Sequence, residues 1–270
     1  QRRFSTLWFR TFRYLQIEIA TADDPLTIHS LKNTFTGYPF KLNAAFECDD
    51  PSVKDIWEVA WRTARLCAGE NYFDCPYYEQ LQYVGDTRIQ SLISLYLSGD
   101  DRLMRQAITH FDDSRRPEGL TQSRYPSSTP QVIPPFSLFW VIMLHDYWMH
   151  RRDDAFIEAH LSAVRGVLEW YERRLAPDGT LGPLPWWNFA DWVEEYPYGV
   201  PPGAQEGGSA VIALQFTYAL RCASDMALAY GRDWEAAHYR SLAVRLGQAV
   251  MKACWRSEER RVGKECRSRW

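Results

Sequence analysis

Three very short links between helical patterns constrain the fold of this chain more than any other feature. They fall at residues 99–101, 151–153 and 231–233, and each separates two segments whose apolar residues recur at helical period. A link this short joins two helices as antiparallel neighbours in a hairpin. Longer aperiodic segments, at about 115–133 and 176–206, separate the hairpins, and segments of that length commonly carry function. The alternation of short and long links predicts a toroid of helical hairpins.

The helical patterns predict a mainly α fold of roughly seven helices. They lie at about 51–64, 74–98, 101–114, 134–151, 153–175, 207–231 and 233–254. A complete (α/α)6 six-hairpin toroid needs about twelve helices, so we expect residues 41–255 to form the N-terminal part of such a catalytic barrel. A solenoid of helical repeats is the alternative, although the sequence shows no internal repeat.

Both ends of the chain depart from the helical pattern. Within residues 7–40, Leu15 and Ile17 alternate with polar residues, which is typical of a half-buried strand. Two strands do not make an independent sheet, so we interpret residues 1–40 as the last strands of a β-sandwich. Residues 256–270 are basic, polar and aperiodic, and we interpret them as a non-native tail, with a genuine basic tail as the alternative.

The segment 74–86 concentrates the side chains that cleavage of a sugar requires. It contains three carboxylates, Asp74, Glu79 and Asp86, together with three tyrosines. One carboxyl must be held protonated to act as an acid, while others bind hydroxyls. Gly85 costs about 1 kcal/mol relative to Ala in a helix, which indicates a close approach at this point. The structural alternative is that acids in a first helical turn complement the helix dipole and the tyrosines pack in the core.

Helix rules predict the geometry of this segment. Pro76 suits a first helical turn and Gly99 suits a helix end, so we expect one helix between them. Glu79 and Asp86 would then share a face of the helix, with Tyr83 between them on that face. The prediction places all three side chains on one surface.

The order Asp-Cys-Pro, then an acidic residue, then Gly-Asp within 74–86 resembles the signature of the bacterial α-L-rhamnosidases, glycoside hydrolase family 78. Phe46-Glu47-Cys48, Ile56-Trp57 and Trp61-Arg62-Thr63 precede it as they do in that family. The similarity covers roughly residues 10–255. It implies an (α/α)6 barrel entered from a β-sandwich, and hydrolysis of terminal α-L-rhamnosyl groups with inversion of the anomeric centre.

The resemblance also implies roles for individual residues. Glu79 matches the general acid. Asp74 and Asp86 match carboxylates that hold sugar hydroxyls and that raise the acid's pKa by like charge. Tyr83 stands where many relatives have Trp, and we expect it to contact the substrate.

The second long segment carries a cluster of tryptophans. It resembles the family's Asp-Trp segment, which implies that Trp187, Asp191 and Trp192 bind the substrate and that the rings face the apolar side of the deoxysugar. The structural alternative is a tryptophan plug that closes the end of the barrel. No residue near Phe136 matches the acid that many relatives have there.

The general base of the family is a Glu farther downstream than Trp270. The resemblance therefore implies that this chain is a fragment without its base and is inactive alone. Glu206 is interpreted as an acid at a helix start, and Glu194 and Glu195 as solvated.

Composition excludes several other functions. The net charge is −3, from 31 basic and 34 acidic residues, and no basic stripe precedes the tail, so nucleic acid is not an expected partner. No apolar run of about eighteen residues predicts a membrane span. The six cysteines form no zinc-binding pattern, and we expect neither metal nor cofactor. We expect no signal peptide within these residues, and the compartment and oligomeric state are not predicted.

The expected function is inverting hydrolysis of a rhamnose-containing glycoside. One alternative is another inverting (α/α)6 glycoside hydrolase, which would keep the acid but differ in the aromatic residues of the pocket. The other is a non-catalytic sugar-binding toroid, which would have no base aligned with the site.

Overall fold

The structure, a computed structural model, describes residues 3–254 and contains seven α-helices in that range. In chain order they are α1 (Ser52–Leu66), α2 (Val84–Ser98), α3 (Arg102–Asp113), α4 (Pro134–His150), α5 (Asp154–Glu172), α6 (Ala210–Ala229) and α7 (Asp233–Cys254). A single 3-10 turn, Pro197–Gly199, lies between α5 and α6. The mainly α prediction is confirmed, whereas the proposed tail at 256–270 lies outside the described residues.

The three short links join the helices in hairpins, as predicted. Residues 99–101 connect α2 to α3, residues 151–153 connect α4 to α5, and residues 230–232 connect α6 to α7. Gly99 has a φ of 73°, in the left-handed region that glycine adopts without steric cost. Its N–H donates to the carbonyl oxygens of Ser94 and Leu95, so the predicted end of α2 is confirmed.

The first helices of the three hairpins form an inner row. α4 packs between α2 and α6, while α3, α5 and α7 pack against the helices of the row from outside. The position of α4 explains its sequence, because a helix with neighbours on several sides is apolar around most of its surface. Trp140, Val141 and Leu144 of α4 are fully buried in a core that continues into α5 and α6.

A long irregular segment precedes each inner helix. These segments are residues 67–83 before α2, 114–133 before α4 and 173–209 before α6. The starts of the inner helices lie together: the ring centroids of Tyr83 and Phe136 are 6.3 Å apart, and Gln215 Nε2 donates to the carbonyl oxygen of Pro135 at 2.8 Å. The helical hairpins therefore bring all three long segments to one end of the inner row.

The predicted strands in residues 7–40 are wrong, since no strand forms anywhere in residues 3–50. Leu15 and Ile17 are 59% and 48% exposed. A strand needs a neighbouring strand to pair its backbone N–H and C=O groups. This segment instead makes isolated backbone contacts, such as the hydrogen bond from Tyr38 N–H to the carbonyl oxygen of Ala68. The division of the chain into two domains stays a prediction.

Candidate active site

The signature segment is irregular as far as Tyr83, and α2 begins at Val84 rather than at Pro76. A turn spans residues 76–79, and Gln80 has a φ of 57°, which interrupts any helix. Asp74 closes the turn: its Oδ1 accepts the Leu81 N–H at 3.0 Å, and its own N–H donates to the Leu81 carbonyl oxygen at 2.8 Å. These local bonds compete with helix formation. The predicted helical face shared by Glu79 and Asp86 is therefore wrong.

The acidic side chains gather nevertheless, around Asp86 in the first turn of α2. Burial is the main cause that raises the pKa of the Asp86 carboxyl, and a backbone hydrogen bond opposes the rise. The negative charges of Asp74, Glu79 and Asp191 raise this pKa further. The Asp86 carboxyl is therefore close enough to acidic side chains of both the signature segment and the tryptophan-bearing segment for their charges to raise its pKa.

Tyr83 links the signature to the segment that precedes α4. Its hydroxyl accepts a hydrogen bond from Arg124 Nη1 at 2.8 Å. Burial raises the pKa of Tyr83 to about 12, the Glu79 carboxylate adds to the rise, and Arg124 counteracts it. The phenol therefore stays protonated at neutral pH and stands between a carboxylate and a guanidinium.

A continuous series of aromatic rings connects the signature to the second long segment. Phe136 packs edge-on against Tyr83 at 6.3 Å and against Phe189 at 6.0 Å. The ring centroid of Phe189 lies 5.0 Å from those of both Trp187 and Trp192. The series places the predicted aromatic residues on the same side of the molecule as the acids.

The tryptophans of the second segment stay accessible. Trp192 is 69% exposed, and Trp187 is half-buried with its Nε1 donating to the Tyr198 carbonyl oxygen at 3.0 Å. A plug that closed the barrel end would bury both rings. Asp191 is exposed beside them, and its Oδ1 accepts the N–H of Trp192 at 2.7 Å. The arrangement favours a surface that can receive a ligand.

The close approach predicted at Gly85 is present. A Cβ at this position would lie 3.2 Å from the Phe136 ring, inside ordinary van der Waals distance. Glycine therefore lets the start of α4 approach α2 beside Asp86.

Sequence reasoning missed three residues of the site. Arg124, Phe136 and Phe189 hold its parts together, yet none belongs to the signature. A signal existed for Arg124, a cation in the middle of a long segment already expected to be functional. For the two phenylalanines, an apolar pattern alone does not distinguish a ring at the site from a ring in the core.

The remaining acids of the second segment lie on the surface. Glu194 and Glu195 are exposed, as predicted. Glu206 is also exposed, but it lies in a turn before the α6 N-cap, Ser209, rather than in the first helical turn. The interpretation of Glu206 as an acid at a helix start is therefore wrong.

Among the helices of residues 3–254, none combines the length and the apolar character that crossing a membrane demands. In the same range, no group of three or more His, Cys, Asp or Glu side chains is arranged to hold a metal ion.

Solved structures of rhamnosidases resemble this fold. A family 78 rhamnosidase from Bacillus sp. GL1 matches over 83% of this chain with a TM-score of 0.75 and 28% identity. A rhamnosidase from Klebsiella oxytoca with rhamnose bound matches over 81% with a TM-score of 0.70 and 23% identity. An α-L-rhamnosidase from Streptomyces avermitilis complexed with L-rhamnose matches over 81% with a TM-score of 0.64 and 18% identity. The last two likenesses show the fold alone.

The chain spans only part of these proteins: 23% of the Bacillus chain, 42% of the Klebsiella chain and 20% of the Streptomyces chain. No curated protein matches it. Residues 41–269 match the family described as the bacterial alpha-L-rhamnosidase 6 hairpin glycosidase domain. Since this match covers most of the sequence and the structure shows the corresponding hairpins, the chain belongs to the bacterial α-L-rhamnosidase six-hairpin glycosidase family.

Proposed function

We propose that the protein containing this chain hydrolyses terminal α-L-rhamnosyl groups with inversion, with Glu79 as the general acid. The observation that carries the proposal is the series of aromatic rings that brings the acid-bearing signature segment and the tryptophan-bearing segment to one side of the molecule. The charges of Asp74, Glu79 and Asp191 also raise the pKa of Asp86. Membership of the rhamnosidase family supports it. Two of the similar structures hold rhamnose, which supports the choice of sugar.

The contacts of the carboxylates suit different roles. Glu79 is exposed at the end of a turn, where its carboxyl can reach the glycosidic oxygen of a bound substrate. Asp74 uses Oδ1 to fix the turn, which leaves Oδ2 for a sugar hydroxyl. Asp86 can accept a hydrogen bond from another hydroxyl. In this assignment Glu79 reacts, while Asp74 and Asp86 hold the ring.

Inversion needs a second carboxylate that activates water on the opposite face of the sugar, about 6.5–9.5 Å from the acid. We assign that base to a part of the protein outside residues 3–254. Within the chain, Trp187 and Trp192 supply an apolar wall for the methyl group of the deoxysugar, and Tyr83 and Asp191 complete the contacts.

The acid assignment is tested with Glu79→Gln in the full-length protein. We expect kcat on a natural rhamnoside to fall about 10²–10⁴-fold, since the leaving oxygen then receives no proton. An aryl rhamnoside with a good leaving group should lose much less activity. Glu58→Gln, on the exposed surface of α1, is the matched control and should change neither rate. Equal losses on the two substrates would contradict the assignment.

The base assignment is tested with the 270-residue chain alone. We expect it to release no rhamnose from an aryl rhamnoside. Clear turnover would show that a base lies inside the chain, and Glu195 and Glu206 would be the first residues to replace.

A further inference from the structure

Trp186, in the tryptophan-bearing segment, has a backbone conformation that a bulky residue rarely adopts. Its φ is 66°, in the left-handed region where a side chain costs conformational free energy. The turn around it is closed, because Nδ2 of the fully buried Asn188 donates to the Leu184 carbonyl oxygen at 2.9 Å. A conformation of this kind persists only where surrounding contacts offset its cost.

A stack of side chains at the end of α5 supplies such contacts. The rings of Trp186 and Trp170 stack with their centroids 5.9 Å apart and an angle of 21° between their planes. The guanidinium carbon of Arg174 lies 3.6 Å from the centroid of the Trp170 ring, and Arg174 Nη1 donates to the Trp170 carbonyl oxygen at 2.8 Å. Trp170 is only 1% exposed, so the core of the protein anchors the stack.

The next residue, Trp187, belongs to the candidate site. Its ring centroid lies 5.0 Å from that of Phe189, and its Nε1 donates to the Tyr198 carbonyl oxygen at 3.0 Å. The backbone has only two soft dihedral angles per residue, so those of Trp186 set the direction in which the chain reaches Trp187. A change in the conformation of Trp186 would therefore move Trp187 away from these contacts.

We propose that Trp186 and Arg174 are positioning residues, which hold the backbone at Trp186 in its strained conformation and thereby orient Trp187 toward the sugar. Neither residue needs to touch the ligand. Their contacts keep the population of the binding-competent conformation high, and the apparent Kd rises as that population falls. The inference rests on the proposed function, in which Trp187 contacts the deoxysugar.

The test compares three variants of Trp186 in the full-length protein, with L-rhamnose as the ligand in titration calorimetry. Trp186→Ala removes the stacked ring but keeps the cost of the left-handed conformation, so Kd should rise about tenfold. Glycine adopts that conformation without steric cost, so Trp186→Gly should raise Kd only about threefold. Trp186→Phe keeps a ring against Trp170 and should raise Kd about twofold.

The second residue of the pair is tested in the same way. Arg174→Met should raise Kd about threefold, because the Trp170 ring then loses its cation. Arg173→Met is the matched control, since Arg173 is exposed one position earlier and pairs with Glu169, and its Kd should equal that of the wild type. On an aryl rhamnoside, the Trp186 and Arg174 variants should raise KM with little change in kcat, since the lost interaction is one of binding. Thermal melting shows whether each variant folds, and the Trp186 series carries the test if Arg174→Met does not.

Hydrogen exchange at the Ala190 amide, followed by mass spectrometry, reports on the segment without any ligand. Ala190 N–H donates to the Gly199 carbonyl oxygen at 2.8 Å, so the amide exchanges when the segment opens. Its exchange rate should increase in the order wild type, Trp186→Phe, Trp186→Gly, Trp186→Ala. Unchanged exchange in all three variants would overturn the positioning role.

Two further outcomes are decisive. Equal losses of affinity in Trp186→Ala and Trp186→Gly, with no loss in Arg174→Met, would mean that the Trp186 ring touches the sugar itself and would also overturn the positioning role. Trp187→Ala, measured alongside, separates this role from the proposed function. If Trp187→Ala weakens rhamnose binding while the Trp186 and Arg174 variants do not, only the positioning role fails. If the wild type binds no L-rhamnose while exchange at Ala190 follows the expected order, the proposed function fails and the hold on the segment stands.

Discussion

Asp74→Ala is expected to loosen the turn that carries Glu79, whereas Asp74→Asn is expected to preserve it. Asp74 Oδ1 accepts the Leu81 N–H at 3.0 Å, and this bond closes the turn over residues 74–81. Asn keeps a carbonyl oxygen at the same place, whereas Ala removes the acceptor. Comparing the two variants therefore distinguishes the effect of losing the hydrogen-bond acceptor from the effect of losing the negative charge of Asp74.

The size of the effect follows from the type of bond and its exposure. A hydrogen bond to a charged group contributes about 1.5–3 kcal/mol, and a neutral one about 1 kcal/mol. Leu81 is half-buried, so water replaces part of the lost contact and the lower end applies. A loss of about 1.5 kcal/mol in Asp74→Ala corresponds to roughly tenfold faster exchange of the Leu81 amide by local opening. Asp74→Asn should accelerate it only about twofold.

Hydrogen exchange at the Leu81 amide, followed by NMR, measures this directly. The amide of Leu246, buried in α7 far along the chain, is the internal control and should exchange at the same rate in all three proteins. If Asn and Ala accelerate the Leu81 amide equally, or if neither does, then Asp74 does not close the turn and the argument for its structural role fails.

Three further changes probe the helices and the core of the site. Gly99→Ala should lower the free energy of unfolding by about 1 kcal/mol, because φ is positive there, and Gly99→Asn should cost less; equal melting temperatures for all three proteins would contradict this. The pKa of Asp86 is higher in the folded protein than its ordinary value of 3.8. As pH rises above 3.8, Asp86 ionises in the unfolded chain before it ionises in the folded protein, so the free energy of unfolding decreases until the folded-state pKa is passed. Asp86→Asn should therefore gain stability relative to wild type between pH 4 and pH 7 in urea titrations, and a constant difference would refute the shift. Phe136→Ala should cost about 3–5 kcal/mol and make the half-buried Trp187 more accessible to fluorescence quenchers, whereas Phe136→Leu should cost less; unchanged quenching would show that Phe136 does not hold the second segment.

The helical frame could be predicted because its signals are local. A three-residue link, or Gly99 after an apolar helix, specifies a hairpin without reference to the rest of the chain. Two of the three long segments were found by the same means, as the stretches where periodicity stops, whereas most of the segment before α2 was assigned to a helix. Membership of one site could then be proposed for seven residues, because the family resemblance marked the signature segment and the tryptophan-bearing segment. Their individual roles stay predictions.

The start of α2 could not be predicted, because the sequence carries two competing signals. Tyr77, Leu81 and Val84 recur near helical period, and Pro76 suits a helix start. The hydrogen bond from the Leu81 N–H to the Asp74 carboxylate stabilises a turn instead of a helix. The spacing of apolar residues carries no information about such a side-chain acceptor.

The role of Arg124 was missed for a different reason. It depends on a contact with Tyr83, 41 positions earlier in the chain, and a single sequence does not show which distant residues meet. The strand prediction for residues 7–40 was wrong for a similar reason. Alternating apolar and polar residues identify a segment that could form a strand, but a strand forms only where a neighbouring strand pairs with it.

The position of the site on segments that precede the inner helices bears on how its specificity can diverge. Residues 114–133 and 173–209 start and finish at fixed points on packed helices, so insertions within them need not disturb the hairpins. Doubling the length of such a segment costs only about 0.6 kcal/mol in closure entropy. Evolution can therefore lengthen, shorten or exchange these segments around the candidate site while the helical scaffold stays intact, and under the proposed function the preference for the group attached to the sugar can change faster than the fold.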